Sequence, residues 1–329
     1  MAGHRPFGTG LIREYIQVLP VFVALLMPPL PAAMLPDVTA TAALAGYLAL
    51  IAAAAYAGGS SLASLTLSHR TTQVLLSFTG GVLLGVGMLH LVPHAAFELG
   101  GDMDATMGWA LAGFFVMFLL ERAFHAHAHH AADSGCGHED AHHHHQHHGH
   151  ASPARRGRWA WAGALAGLTL HSLADGAALA ASVGADAAHG GRLLPGFATF
   201  LAILLHKPLD AAIIATLMLE ARSSSRLRTL VNLGYAAVVP LGAACFFAIL
   251  PLLGSSQHAV LGPALAIAGG AFICIAAADL LPEVQFHTHD RVLLTTALVL
   301  GLGLAWGITA VERGTHDHAP HAHSQTSRP

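Results

Sequence analysis

Apolar residues in this chain fall in blocks of about twenty or more, separated by short polar stretches, and no other feature so restricts its fold. A run of that length matches the hydrocarbon thickness of a bilayer, where every backbone N–H and C=O must be satisfied within the segment. The blocks therefore read as helices. Composition agrees: 54% of residues are hydrophobic and 10% are Asp, Glu, Lys or Arg, against ~25% charged in soluble domains. A soluble fold is excluded. Eight spans follow, at approximately Ala43–Leu67, Gln73–Phe97, Met107–Ala123, Trp159–Ser182, Leu194–Ala221, Val231–Leu253, Ala259–Pro282 and Val292–Val311. The expected fold class is an all-α, multi-pass membrane protein of eight transmembrane helices. A further apolar stretch, Gln17–Leu35, carries four prolines and reads as one additional N-terminal membrane helix, with a signal-like segment as the alternative.

This division sets the organisation. Residues 1–42 form the N-terminal segment, 43–124 hold helices one to three, and 125–156 are a histidine-rich loop. Residues 157–311 hold helices four to eight, and 312–329 form a histidine-containing tail. Lys and Arg near span ends are retained on the cytoplasmic side. They collect after span one (Arg70), three (Arg122, Arg155, Arg156, Arg158), five (Arg222, Arg226, Arg228) and seven (Arg291). The histidine-rich loop is thus expected in the cytoplasm and the C-terminus outside, in a cell or inner membrane. A net charge of −3 gives no reason to expect a nucleic-acid partner. Cys136, Cys245 and Cys274 share no metal-knuckle or disulfide spacing.

The chain has 26 histidines and one lysine, Lys207. Twelve histidines lie in 125–150, with His142, His143, His144, His145, His147 and His148 almost contiguous, and four more lie in the tail. Neutral imidazole suits several transition metals, so the loop gathers metal as a reservoir or a sensor. Its affinity falls as pH drops through the histidine range.

The chemistry sits inside the hydrocarbon. Span four contains His171 and Asp175, and span five contains His206 and Asp210. Each pair is spaced i, i+4, which sets imidazole and carboxylate on one helix face. An ionisable side chain at the bilayer centre costs ~2.5–3.5 kcal/mol on insertion scales, so five of them, Lys207 included, require compensation. Two neutral histidines and two carboxylates form an N2O2 set whose charge cancels a divalent cation. Mutual hydrogen bonding between the helices is the competing explanation, and smaller polar groups would serve it at less cost. Pro208 removes a backbone donor and predicts a broken helix near Leu204. Ionisable groups also surround a proline at the ends of span two (His90, His94) and span seven (Asp279, Glu283), marking a metal path from face to face. Met88 and Cys274 read as packing residues rather than sulfur ligands.

On these residues the chain resembles the ZIP (Zrt-, Irt-like protein) family of divalent-metal transporters. The likeness includes His171 and Asp175-Gly176 in span four, His206 with Asp210 in span five, and the His90-Leu91-Val92-Pro93 and Asp279-Leu280-Leu281-Pro282-Glu283 span ends. It implies inverted repeats, a metal site shared by spans four and five, and movement of zinc or a similar ion toward the cytoplasm. Many members carry a second, adjacent metal position. Here Ser172, Lys207 and Val239 stand at three of its ligand places. The expectation is one intramembrane metal, with the Lys207 ammonium substituting for the second.

The expected activity is alternating-access transport in which metal binds His171, Asp175, His206 and Asp210 and leaves past His90 and Asp279 to the loop. Zn2+ is the expected substrate, with Cd2+, Fe2+, Mn2+, Co2+ and Ni2+ as alternatives. No organic cofactor is expected, and partners reduce to the metal ion, the lipid bilayer and a homodimer that the sequence leaves open. A cation diffusion facilitator-like exporter would need a folded domain after the last span, where only Glu312–Pro329 remain. A metal-sensing or storage protein is the other alternative. An enzyme is not expected, because no HExxH-type motif appears.

Overall fold

The computed structural model describes residues 38–62, 69–132, 160–188, 194–250, 257–286 and 290–314. Among them every regular element is helical. The Gln17–Leu35 segment, the His142–His148 run and the C-terminal histidines lie outside the described residues.

Among the described residues, eight helical stretches are long and apolar enough to cross a membrane. Span one is α1 (Val38–Ala57), which ends in a π-helical turn at Gly58–Leu62. Span two joins α2 (His69–Val86), a π turn at Gly87–Leu91 and α3 (Val92–Glu98). Pro93 in the first turn of α3 cannot donate a backbone hydrogen bond, and the wider turn before it keeps the chain helical through that point. Spans three to five are α4 (Met103–Ala132), α5 (Ala160–Ala188) and α6 (Phe197–Glu220). Span six is divided into α7 (Ser225–Ala236) and α8 (Val238–Ile249), separated at Ala237, three residues before Pro240. Spans seven and eight are α9 (Gln257–Phe286) and α10 (Arg291–Gly314).

Two expectations are corrected. Helix α6 runs unbroken through Pro208, where its backbone packs against Gly58 at the end of α1. Helix α5 continues past the expected end at Ser182 to Ala188, which brings Asp186 into the fourth span.

The helices pack in a mirrored order. The most extensive contacts join span two to eight (α2 with α10), three to seven (α4 with α9) and four to six (α5 with α8), while α1 lies against α6. Each of the first three pairs is interlocked by two glycines. A Cβ on Gly81 would strike the carbonyl of Leu298 and one on Gly301 that of Phe78; Gly113 meets Ile267 and Gly270 meets Ala110 in the same way. Gly176 faces Val239, and Gly242 faces Leu173. Small residues are what allow membrane helices to approach backbone to backbone, where lipid removes the hydrophobic drive for association. Arg70 and Asp290 form an ion pair of 3.1 Å that sets the starts of α2 and α10 side by side.

The interior is apolar, with Leu44, Leu48 and Ile51 of α1 meeting Val82 and Val86 of α2, Leu179 of α5, Ile203 of α6 and Phe272 of α9. The outward faces are apolar as well: Leu111, Phe115, Val116 and Leu119 on α4, and Val299, Leu300 and Trp306 on α10, are all exposed. Such continuous apolar exposure is stable against lipid and not against water.

Gly301→Val is expected to lower thermal stability in detergent by about 1–3 kcal/mol or more, the range for forcing atoms into a packed interface. Gly303 and Gly307 lie on the same helix with open space at their Cβ positions, and Ala at either should leave the melting temperature unchanged or slightly raised.

Candidate metal centre

Helices α5 and α6 each present a stripe of ionisable residues to the other. His171, Ser172 and Asp175 on α5 meet His206, Lys207 and Asp210 on α6, and Tyr235 of α7 closes one side. His171, Asp175, His206 and Lys207 are all buried, and Lys207 is 0% exposed despite its length.

Both HxxxD pairs converge. Asp175 Oδ2 lies 3.4 Å from His171 Nε2 and 3.3 Å from His206 Nε2. Asp210 Oδ2 lies 3.7 Å from His171 Nε2 and 4.0 Å from His206 Nε2. The two imidazole rings stand 5.4 Å apart between centroids. With metal–ligand bonds of roughly 2.0–2.2 Å, ligand atoms at the corners of a tetrahedron are separated by about 3.3 Å. His171, Asp175 and His206 each offer an atom within 4.8 Å of the other two, so the three can surround one small cation. Asp210 faces the two imidazoles from slightly farther away and stands outside that three-residue group.

One histidine is oriented for this role. His206 Nδ1 donates to the Ala202 carbonyl at 2.8 Å, a bond that α6 itself supplies one turn earlier. That bond requires a proton on Nδ1 and turns Nε2, the atom a metal would take, toward Asp175 Oδ2 at 3.3 Å. The ring edge meets Phe272 of α9 at 6.4 Å, which limits its rotation.

The lysine occupies the same space. Its ammonium lies 2.6 Å from Asp175 Oδ2 and 2.9 Å from Asp210 Oδ2, bridging the two helices through the oxygens that face the imidazoles. It also donates to Ser172 Oγ at 3.0 Å. Ser172 Oγ stands 2.9 Å from the Tyr235 hydroxyl, and that hydroxyl donates to Asp210 Oδ2 at 3.3 Å. Tyr235 and the structural part taken by Ser172 are absent from the sequence reading. A lone tyrosine five residues before Pro240, in a span whose only other polar side chain after Val231 is Asn232, is the one signal that points to the first.

His90 and His94 form a separate group. Their rings stand 4.3 Å apart, and His94 Nδ1 lies 3.8 Å from Asp186 Oδ1. The other Asp186 oxygen accepts the Gly196 N–H at 2.7 Å, which joins the end of α5 to the start of α6. Asp186 is eleven residues beyond Asp175, about 16 Å along the helix at 1.5 Å per residue. The histidine-rich loop enters α5 at its opposite end. His94, with His90 beside it, thus lies toward the end of α5 away from the one that follows the histidine-rich loop. Asp279 and Glu283 belong to α9, but their side chains lie outside the described residues. Cys274 is buried in the apolar core and Met88 is exposed, in keeping with packing roles.

Compared with protein families, residues 30–309 match the one described as ZIP Zinc transporter. The match takes in the first seven spans, all but the end of the eighth, and both halves of the centre. A search of curated proteins finds no match.

Removing one member of a buried ion pair leaves the other unneutralised at a cost of about 3–5 kcal/mol. Lys207→Met is therefore expected to lower the melting temperature of metal-free protein in detergent markedly. Added zinc, by neutralising the same carboxylates, should restore most of the loss.

Proposed function

Because the chain belongs to the ZIP zinc transporter family, we propose that it carries a divalent transition metal, zinc foremost, toward the cytoplasm through one site made by His171, Asp175, His206 and Asp210. The observation that carries this reading is the convergence of two HxxxD pairs from neighbouring helices at ligand-to-ligand distances of 3.3–4.0 Å. Mutual hydrogen bonding would satisfy single pairs. It would not require two imidazoles and two carboxylates to face a common point in the hydrocarbon.

The mechanism is exchange of water for protein ligands. A hydrated cation entering beside His90, His94 and Asp186 reaches the centre, loses its water to two imidazoles and two carboxylates, and is released along α9 past Asp279 and Glu283 toward the histidine-rich loop. Paired imidazoles and carboxylates lean toward Zn2+ or Fe2+ over copper, with Cd2+, Mn2+, Co2+ and Ni2+ as alternative substrates that ligand type does not rank. The charge count supports a single ion. Two carboxylates carry −2, and a bound divalent cation with the Lys207 ammonium carries +3, so a second divalent cation would leave +3 uncompensated at membrane depth. The lysine thus stands in place of the second metal. Retention of Arg122, Arg155, Arg156 and Arg158 beside the histidine-rich loop favours a cytoplasmic location for it.

His171→Ala and Asp210→Ala are expected to insert normally yet lose zinc uptake into proteoliposomes by more than the ~10–100-fold that loss of a partner supporting a metal ligand costs. Wild-type uptake by either variant would refute the site. Calorimetric titration of a variant lacking both histidine-rich segments should give one tight site per chain, and two would refute the substitution by Lys207.

A further inference from the structure

The reading above treats Lys207 as a fixed charge, and the geometry around it points to more. Its ammonium holds Asp175 Oδ2 and Asp210 Oδ2, which are the same two oxygens that lie nearest the imidazole Nε2 atoms. A cation bound to those oxygens at roughly 2.0–2.2 Å would stand within about 4 Å of the ammonium, with no water between the two like charges. Metal and lysine thus compete for one pair of ligand atoms. The lysine side chain has a flexible four-carbon stem, so it is the partner able to withdraw.

A place for it exists beside Ser172 and Tyr235. Ser172 Oγ already accepts from Nζ at 3.0 Å, and the Tyr235 hydroxyl stands 2.9 Å beyond Ser172 Oγ. The Tyr235 ring centroid lies 6.0 Å from Nζ, at the outer limit for a cation over an aromatic face. Tyr235 also lines a cavity of about 220 Å³ between α1, α6 and α7, whose wall includes Tyr56, Ser60, Thr229 and Asn232 together with Arg228, a like charge held by the Ser223 carbonyl at 2.7 Å, so the ammonium is received at the Tyr235 edge. That volume holds several waters and presents hydroxyl and amide groups to a displaced ammonium. On the opposite side the described residues that face the site are the two imidazoles and Phe272.

Resting on the proposed metal site, we infer that Lys207 is a tethered counter-ion. The incoming divalent cation takes Asp175 and Asp210 from its ammonium, and Ser172 and Tyr235 receive it at the edge of the α1–α6–α7 cavity. On release of the metal the ammonium returns, so the carboxylates are neutralised in part in both states. Tyr235 acts through the lysine and is a positioning residue for the metal site rather than a ligand.

Lys207 is the sole lysine in the chain, which makes it its own reporter. Purified full-length protein in detergent is treated with acetic anhydride at fixed pH, with and without Zn2+, and acetylation of the Lys207 peptide is followed by mass spectrometry. Zinc should raise its rate by at least about fivefold as the ammonium leaves a dry ion pair for a hydrated cavity. His171→Ala, which lacks a ligand, should show no rise. In Tyr235→Phe, which keeps the ring and loses the hydroxyl, the zinc-dependent rise should exceed that of the wild type. Zinc binding by the wild type, measured against His171→Ala in the same samples, separates the outcomes. Zinc bound with the acetylation rate unchanged or lowered overturns the displacement and leaves the metal site standing. No zinc bound beyond the His171→Ala level overturns both. An equal rise in Tyr235→Phe and wild type overturns the role of Tyr235.

Discussion

The ammonium of Lys207 between two carboxylates is the interaction on which the centre of this molecule depends. An unneutralised carboxylate at membrane depth is costly enough that neither Asp175 nor Asp210 would stay ionised there alone. Joined by the lysine, each is held on its own helix and bound to the other, so α5 and α6 are cross-linked at the level where the imidazoles meet. The geometry of the histidines follows from that link. His171 and His206 face the carboxylates that the lysine has drawn together, and the Ala202 carbonyl sets which nitrogen of His206 faces inward.

What was legible in the sequence had one-dimensional causes. Bilayer thickness imposes a length on every span, and eight spans could be counted from hydropathy because nothing else produces apolar runs of that size. The i, i+4 spacing of His171 with Asp175 and of His206 with Asp210 follows from helical periodicity, which needs no knowledge of neighbouring helices. The convergence of the two pairs could be expected once both lay in consecutive spans.

What was not legible depends on approach in three dimensions. Tyr235 reaches Asp210 because span six packs against spans four and five, and no local rule marks one tyrosine in an apolar run. Pro208 suggested a break because the residue lacks an amide proton, yet α6 continues through it while Gly58 packs against its backbone. Asp186 fell beyond the expected end of span four, because hydropathy declines before the helix does. The position of His90 on the side away from the histidine-rich loop required both the extent of α5 and the contact of His94 with Asp186.

The paired glycines carry a consequence for motion. In each of the helix pairs α2–α10, α4–α9 and α5–α8, two backbones are pressed together at two reciprocal points. Sliding one partner by a turn would drive a side chain into a gap sized for hydrogen. Within a pair the vertical register is therefore locked, as a key blank is held by the wards of its lock. Between pairs close approaches are fewer but present: Gly87 of span two meets Gly269 of span seven, and Gly58 meets the backbone at Pro208. A change of register within a pair is therefore costlier than a change in how one pair leans on the next, and the glycine contacts at Gly87 and Gly58 mark where such leaning would pivot.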